Sequence, residues 1–329
     1  MKRASHQTAA RVTIEDVARA AGVSTGTVSR VLNRRAGVKA ATRHAVLEAV
    51  SRLEYRPDAA ARELSLRHPK RIGFHVAPSS TRFSPFYTLF AQHLSAALQE
   101  SGLRLETVPS RPDGLPARSA DAFVLVGLHD DDARIGYLHA QGIPVVLAGH
   151  AEGERWTRAD DVDGGRQAAL HLLRLGHTEL LHVTGDLGGQ AAFDRFRAFR
   201  GALQEAGVAL PDARVLDGGF TTLGAYRAVR RALEGGVTFT GVFAASDEMA
   251  CGVIAALEDA GLRVPGDVSV VGFDDLPEFG DGLTTVRQDV AKVAATAAAL
   301  LKESLRGEPP RSEVIPVQLV VRGTTARRR

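Results

Sequence analysis

The stretch GVSTG, residues 22–26, is the first whose residue types and spacing suggest chemistry, because it matches the G-x-S-x-G nucleophile elbow of serine hydrolases. An elbow requires a buried strand that leads into the serine, since the strained strand-to-helix turn exposes the hydroxyl. The preceding residues TIEDVARAA instead have the apolar spacing of a helix and contain no β-branched run. Ser24 is therefore predicted to cap a second helix, and the chain is predicted not to be an enzyme.

Polar and aromatic side chains in the rest of the chain follow strand-like runs, which predicts a ligand site. Asp274 follows VSVVGF, Ser246 follows VFAA, and Arg195 lies on the helix after LLHVTGD. Ligands of open α/β sheets bind beyond the carboxyl ends of the strands. Carboxylates and an arginine hydrogen-bond hydroxyl groups, and an aromatic ring covers the apolar face of a sugar, so the predicted ligand is a carbohydrate. The predicted ligand-binding residues are Ser84, Phe86, Asp161, Arg195, Phe220, Ser246, Asp247 and Asp274.

The run DDVDGG, with Asp160, Asp161 and Asp163, admits two interpretations: a segment that lines the ligand site, or a cluster that caps a helix N-terminus. The eleven histidines are scattered, and the sequence has no H-E-x-x-H and no Cys/His pair at metal-ligand spacing. It also has no Walker loop and no G-x-G-x-x-G. We therefore expect neither a bound metal nor a cofactor.

Composition and charge indicate a globular chain with a basic end. The length of 329 residues predicts two or three folded units. No apolar run is long enough to span a bilayer, the start lacks a signal-peptide core, and the single cysteine excludes an intrachain disulfide, so a cytoplasmic protein is expected. Residues 1–71 contain 15 Lys and Arg against 6 Asp and Glu, a net charge of +9, whereas the remainder carries −6. This predicts that the head binds a polyanion; the alternative is a solvated basic tail.

Three short helices are predicted in this basic head. Thr13 and Asp16 form a capping-box pattern before the first helix, Gly22 ends it, and Ser24 caps the second. A third helix is predicted over residues 42–54, with Val46, Leu47, Val50 and Leu53 buried. This is a helix-turn-helix layout, whose second helix lies in the major groove of DNA. The residues that it presents to base edges are Thr25, Gly26, Ser29, Arg30 and Asn33.

From residue 71 onward, strand-like runs alternate with helical segments, as in RIGFHVA before residues 89–98 and VFAAS before residues 249–260. Such alternation predicts parallel sheets with helices on both faces. The predicted fold is therefore a small all-α helix-turn-helix head plus an α/β body of two doubly wound parallel-sheet lobes.

Several segments occur together and in order: TIEDVARAAGVSTGTVSRVLN, TRHAVLEAVSRLEYRPDAAAREL, DVDGGRQAALHLLRLGH, ASDEMACGVIAAL, VPGDVSVVGFDD and LTTVRQD. On these segments the chain resembles the LacI/GalR family of bacterial transcription regulators. The resemblance implies a periplasmic-binding-protein-like pair of lobes that holds a small effector. It also implies that Arg195, Phe220, Ser246 and Asp274 occupy effector-contacting positions, although many members have Asn where this chain has Ser246.

The resemblance further implies a hinge helix that forms when two protomers bind an operator. Leu64 then inserts into a central minor-groove step and kinks the duplex, and Arg62 lies along the groove. Asp58 and Lys39 depart from the family's usual Asn and Ser at these positions. The predicted DNA-binding residues are Thr13, Ser24, Thr25, Gly26, Thr27, Ser29, Arg30, Asn33, Tyr55, Ala61, Arg62 and Leu64.

The expected divisions of the chain follow from these features. They are a disordered tail at 1–11, the DNA-binding domain at 12–56, the hinge helix and linker at 57–70, and the effector-binding and dimerisation domain at 71–329. Within the last, one lobe is expected at about 71–174 and 288–314, and the other at about 175–287 and 315–325.

The leading hypothesis is a repressor that acts as a homodimer on a palindromic operator, with a carbohydrate effector and no membrane partner. Such a protein would be cytoplasmic, and associated with the nucleoid when bound to its operator. A purine or another metabolite is the alternative effector. A solute-binding protein is the alternative function, which the missing signal sequence and the basic head disfavour.

Overall fold

A computed structural model of the chain describes residues 13–32, 39–53, 70–78 and 84–328. The chain divides into two compact units, Met1–Pro69 and Lys70–Arg329. The predictions made for Asn33, Tyr55, Ala61, Arg62 and Leu64 lie outside the described residues.

The described residues of the first unit form three helices, α1 (Ile14–Ala21), α2 (Thr25–Leu32) and α3 (Ala40–Arg52). Their shared core is formed by Val17, Ala18, Val28, Val31, Val46 and Ala49. The predicted helix-turn-helix arrangement is confirmed. Leu47, which was predicted to be buried, is 49% exposed, because Val46, Ala49 and Val50 share the inward face and Leu47 lies one residue past it.

The ends of these helices follow the sequence closely. The Thr13 hydroxyl accepts a hydrogen bond from Asp16 N at 3.3 Å, and Thr13 N donates to the Asp16 carboxylate at 3.0 Å, so both halves of a capping box are present. Gly22 ends α1 with a φ of +66°, a conformation that favours glycine. Ser24 Oγ accepts from Thr27 N at 3.2 Å and caps α2. Lys39 precedes α3 without a side-chain cap.

The second unit contains two six-stranded sheets. The first sheet has the order β11-β5-β4-β3-β1-β2 and is parallel throughout. Its strands are β1 (Arg71–Val76), β2 (Arg104–Thr107), β3 (Ala122–Val126), β4 (Val145–Ala148), β5 (Trp156–Ala159) and β11 (Ser312–Ile315). The helices that pack on it are α4 (Pro85–Gln99), α5 (Ala133–Ala140) and α10 (Val290–Arg306).

The second sheet has the order β12-β10-β9-β8-β6-β7, in which only the edge strand β12 is antiparallel. Its strands are β6 (Leu180–Thr184), β7 (Val215–Asp217), β8 (Gly241–Ala244), β9 (Ser269–Asp274), β10 (Thr285–Gln288) and β12 (Val317–Val320). Its helices are α6 (Asp161–Arg174), α7 (Gln190–Glu205), α8 (Thr222–Glu234) and α9 (Asp247–Asp259).

The two doubly wound lobes predicted from strand–helix alternation are confirmed. The central strands β3, β6, β8 and β9 are buried along their whole length, because helices cover both faces of each sheet. Helix α6 departs from the expected division of the lobes. Ala168, Ala169 and Leu172 on α6 pack with Leu180 and Phe199 of the second lobe, so the first crossing between lobes lies near residue 160 rather than 174.

Candidate functional site

A cleft of about 650 Å³ lies between the lobes of the second unit, at the carboxyl ends of the strands of both sheets. Its volume is within the range of small-molecule sites. The segments that line it include Val126–His129 and Ala148–His150 from the first lobe, and Gly189–Ala192 and Gly218–Thr221 from the second. Seven of the eight residues predicted for the ligand site line it: Ser84, Phe86, Asp161, Arg195, Phe220, Ser246 and Asp274.

Arg195 on α7 forms the centre of the buried polar groups in this cleft. Its Nε donates to Asp161 Oδ1 at 2.7 Å, and its Nη1 donates to the carbonyl of Ala245 at 2.6 Å. The same Nη1 lies 3.6 Å from Asp274 Oδ1, and the guanidinium carbon lies 3.6 Å from the centre of the Phe273 ring. A planar, delocalised cation suits this combination of in-plane hydrogen bonds and ring stacking.

Burial raises the pKa of both carboxyl groups that flank Arg195. For Asp161 the pKa is raised by burial, against the opposing attraction of the Arg195 guanidinium. For Asp274 burial raises the pKa to about 8, again against Arg195. Burial therefore favours the protonated form of Asp274, and a protonated carboxyl group can both donate and accept a hydrogen bond. Gln288 Nε2 already donates to Asp274 Oδ1 at 2.5 Å.

The backbone that carries Asp274 is strained. Asp274 has a φ of +121° and Asp275 a φ of +57°, although neither is glycine. Asp275 is held by two guanidinium groups: Arg287 Nε donates to its Oδ2 at 2.6 Å, and Arg322 Nη1 lies 2.6 Å from its Oδ1. These ion pairs stabilise the turn and so direct Asp274 into the cleft.

Asp247 does not line the cleft, so its predicted contact with the ligand is replaced by a structural role. Its Oδ1 accepts from the Thr285 hydroxyl at 2.5 Å, and its Oδ2 accepts from Leu276 N at 3.0 Å. As the first residue of α9, its side chain is directed back toward β10 and the loop after β9. Burial raises the pKa of Asp247 to about 6, and the Thr285 hydrogen bond opposes this.

The aromatic residues form two parts of the cleft wall. Phe86 packs edge-on against Tyr87 at 5.6 Å and stacks on Phe90 at 6.1 Å, measured between ring centres. Phe220 has a φ of +51° and lies over Gly185, where a Cβ atom would overlap the Phe220 ring. Phe86 and Phe220 are therefore each packed against the protein on one side, and the other side can face a ligand.

The two cleft serines, Ser246 and Ser84, differ in whether their hydroxyl groups cap a helix. Ser246 Oγ caps α9 by accepting from Met249 N at 3.2 Å. Ser84 precedes α4 and makes no such side-chain cap.

The structure separates the two interpretations of DDVDGG. Asp160 caps α6, because its Oδ1 accepts from Asp163 N at 3.0 Å. Asp163 accepts from Gln167 Nε2 at 2.6 Å on the helix surface. Asp161, between them, is buried against Arg195 in the cleft. Asp160 therefore has the role of a helix cap, whereas Asp161 is part of the lining of the cleft.

Several cleft residues were missed by reasoning from the sequence. Arg158 Nη1 donates to Asp194 Oδ2 at 2.8 Å, and His150 Nε2 lies 3.5 Å from the same oxygen, so both first-lobe residues contact α7 of the second lobe. Arg158 lies on β5, a strand that was not predicted, but the position of WTRA just before DDVDGG is a usable signal. Asp194 directly precedes Arg195 in the sequence and also lines the cleft, but only Arg195 was predicted to do so.

In the first unit, Ser24, Thr25 and Gly26 at the start of α2 are exposed, and Thr27 is half-buried with its hydroxyl 3.0 Å from Ser24 Oγ. Ser29 and Arg30 lie on the same helix. Within the described ranges, no helix is long and apolar enough to cross a membrane, and no cluster of three or more potential metal ligands occurs.

Comparison with known proteins matches both units. Residues 13–58 match the family described as bacterial regulatory proteins, lacI family, and residues 169–325 match the periplasmic binding protein-like domain. The HTH-type transcriptional regulator CelR of Thermobifida fusca is 33% identical over 94% of this chain and 96% of its own. The HTH-type transcriptional repressor PurR of Erwinia tasmaniensis is 32% identical over 93% of this chain and 94% of its own.

Solved structures match nearly the full length. A transcriptional regulator CelR–cellobiose complex aligns with a TM-score of 0.71 at 30% identity, over 95% of this chain and 100% of that one. A lac repressor dimer bound to operator and the anti-inducer ONPF aligns with a TM-score of 0.69 at 26% identity, over 96% of this chain and 100% of that one.

Proposed function

Because the chain belongs to the LacI family of bacterial regulatory proteins, we propose that it is a transcriptional repressor that binds a palindromic operator as a homodimer and responds to a carbohydrate in the interlobe cleft. The observation that carries the choice of ligand is the composition of the cleft wall. Buried Asp161 and Asp274 offer hydrogen bonds to hydroxyl groups, and Phe86 and Phe220 offer apolar ring faces. A hydroxyl-rich ligand with apolar ring faces satisfies both features.

DNA binding is assigned to the first unit. The glycine turn and the Ser24 cap leave Thr25 and Gly26 exposed at the start of α2, where a recognition helix contacts base edges. The net charge of +9 over residues 1–71 favours phosphate contacts. Insertion of Leu64 into the minor groove stays a prediction.

Coupling between ligand and operator is assigned to a change in the relation between the two lobes. The cleft is lined by both lobes, and α7 of the second lobe contacts Arg158 and His150 of the first. A ligand that contacts both lobes binds one arrangement more tightly and so shifts the population toward it.

A purine is the second candidate ligand. The specific observation in its favour is the 32% identity to the repressor PurR, together with aromatic rings on which a base could stack. Carbohydrate is preferred because the CelR structure, which aligns with this chain at a TM-score of 0.71, is a complex with cellobiose, and because acidic groups outnumber basic ones among the described cleft residues.

The test is a fluorescence-anisotropy titration of the full chain against DNA from upstream of its own gene, at moderate salt, with and without each ligand. Salt is fixed because phosphate contacts make affinity salt-dependent. We expect binding that requires the palindrome and that changes when cellobiose or another neutral sugar is added. No palindrome-dependent binding in any ligand state contradicts the regulator proposal, and a response to purines alone contradicts the carbohydrate.

One variant separates the response to ligand from DNA binding. Phe220→Ala removes a cleft wall in the second unit, so it should abolish the ligand response and leave DNA affinity in the absence of ligand within about twofold. Tyr226→Phe, on the helix α8 that follows Phe220, is the matched control, because the Tyr226 hydroxyl contacts Asp259 on the surface.

A further inference from the structure

We infer that the cleft selects a ligand without negative charge and excludes phosphorylated or carboxylated forms of the same compound. This inference deepens the proposed function and rests on it for the position of the site. It is drawn from the charges that line the cleft and from the partners that its guanidinium groups already have.

Carboxylates outnumber guanidinium groups along the cleft. Among the residues that the structure describes, six acidic residues line it: Asp161, Asp186, Asp194, Asp217, Glu248 and Asp274. Three arginines in the same described part of the chain line it: Arg158, Arg195 and Arg227. Even when Asp274 is protonated, five carboxylates remain beside three guanidinium groups, so a ligand anion enters a space in which negative groups are already in excess. Such like-charge juxtaposition is costly.

Arg158 and Arg195, together with Asp161, Asp194 and Asp274, form the part of the cleft that we call its floor, and both arginines already have hydrogen-bond partners. Arg195 is bound to Asp161 and to the carbonyl of Ala245. Arg158 is bound to Asp194 at 2.8 Å, and its guanidinium carbon lies 5.9 Å from the centre of the Trp156 ring. A phosphate that bound Nε of Arg195 or Nη1 of Arg158 would displace the carboxylate that already accepts a hydrogen bond from that atom, and would leave this carboxylate without that partner.

Arg227 is the remaining cleft arginine, and it differs in its surroundings. It lies on the exposed side of α8, and none of the ion pairs within the described ranges involves it. An ion pair formed there is exposed to solvent and contributes little affinity. Arg227 therefore does not compensate a ligand anion on the cleft floor.

The titration of Asp274 supports the same conclusion. Burial raises the pKa of Asp274 to about 8 even with Arg195 beside it. The surroundings of Asp274 therefore disfavour a negative charge on its own carboxyl group. A ligand phosphate in the same place meets the same penalty. The protonated Asp274 carboxyl group is instead suited to hydroxyl groups, which both donate and accept hydrogen bonds.

The test is isothermal titration calorimetry of the full chain with matched ligands. Cellobiose and glucose are compared with their 6-phosphates, guanosine with its 5′-monophosphate, and glucosamine provides a cationic sugar. We expect every ligand that binds to be neutral or cationic, with a Kd for its phosphorylated counterpart that is at least about tenfold higher. A phosphorylated member that binds as tightly as its neutral counterpart, or more tightly, overturns the inference. Binding of guanosine alone leaves the charge rule intact and contradicts the carbohydrate proposal.

Three variants test the role of the occupied arginines. Asp194→Asn releases Arg158 from its carboxylate partner, so the ratio of the two Kd values should fall by about threefold or more. Asp212→Asn, whose carboxylate is exposed on the surface outside the cleft, should leave the ratio unchanged. Arg227→Gln should change the ratio by less than Asp194→Asn does, because an ion pair at this exposed position contributes little. A ratio that responds to Arg227→Gln but not to Asp194→Asn overturns the assignment of selectivity to the floor.

Discussion

Gln190 pairs with the backbone of His150 through both ends of its side-chain amide. Gln190 Nε2 donates to the His150 carbonyl at 2.9 Å, and His150 N donates to Gln190 Oε1 at 3.0 Å. Gln190 N also donates to the Leu128 carbonyl at 2.9 Å. Gly149 permits this approach, because a Cβ atom there would lie 2.8 Å from Gln190 Oε1. The start of α7 in the second lobe is thus joined to two strand ends of the first.

Gln190→Ala should weaken ligand binding without unfolding either lobe. The substitution removes two hydrogen bonds between the lobes, each contributing about 1 kcal/mol, and so favours other arrangements of the lobes. We expect the Kd of the cleft ligand, measured by calorimetry, to rise about five- to thirtyfold. Gln141→Ala is the control, because its exposed amide bonds only to Tyr137 within the first lobe. An unchanged Kd in Gln190→Ala contradicts a role for this pairing in ligand binding.

Arg195→Met should destabilise the second unit strongly. It leaves the Asp161 carboxylate buried without its cationic partner, which costs about 3–5 kcal/mol for a buried ion pair broken from one side. Urea unfolding at pH 7 measures the loss. Addition of Asp161→Asn should restore part of it, because one unpartnered carboxylate is neutralised.

Arg197→Met tests whether that loss is specific to the buried position. Arg197 is two residues further along α7, with a largely exposed side chain 3.7 Å from Asp194. An exposed pair contributes about 0–1 kcal/mol, so this variant should change stability little. Equal losses in Arg195→Met and Arg197→Met would show that burial of the ion pair does not determine the energy.

His182 should make stability fall in mild acid. Its ring is fully buried at 4.9 Å from the Phe243 ring, and its Nδ1 lies 2.9 Å from the Phe243 carbonyl. Burial lowers its pKa to about 4, against the opposing Phe243 hydrogen bond. Between pH 6.5 and 4 the unfolded chain binds a proton that the folded chain does not, so stability falls as pH decreases. The His182 share of this loss is about 3 kcal/mol.

The His182→Phe variant isolates that share. His75 also has a pKa lowered to about 4 by burial, so the wild type loses stability through both groups. We expect the difference in unfolding free energy between wild type and His182→Phe to change between pH 6.5 and pH 4.5, with the variant losing less. Parallel curves for His182→Phe and the wild type rule out this role of His182.

Reasoning from the sequence located the cleft residues that follow recognisable strands and failed where position depends on tertiary packing. Asp274 is the last residue of β9 and Phe220 follows β7, so the rule that ligands bind at the carboxyl ends of strands identified them. Gln288 reaches Asp274 only because β10 lies beside β9, a pairing that no local pattern specifies. Asp247 was assigned to the cleft from its strand end, but its contacts with Thr285 turn it away.

Gly26 separates DNA recognition from folding. A Cβ atom at this exposed position would meet only Ser24 Oγ, at 3.7 Å, which is ordinary contact. Gly26→Ala should therefore stabilise α2 by up to about 1 kcal/mol, since glycine is the poorer helix former. Gly26→Asn should fold similarly but change which operator bases are preferred, because it places an amide at a base-facing position.

The measurement for Gly26 pairs thermal unfolding with operator selection from a randomised pool. Ser24→Ala supplies the contrast, because loss of its hydrogen bond to Thr27 N costs about 1 kcal/mol of helix capping. Ser24→Ala should therefore lower affinity for all sequences together, through the stability of α2, whereas Gly26→Asn alters the preferred sequence itself. Identical operator preferences in Gly26→Asn and the wild type would mean that this part of α2 does not face the bases.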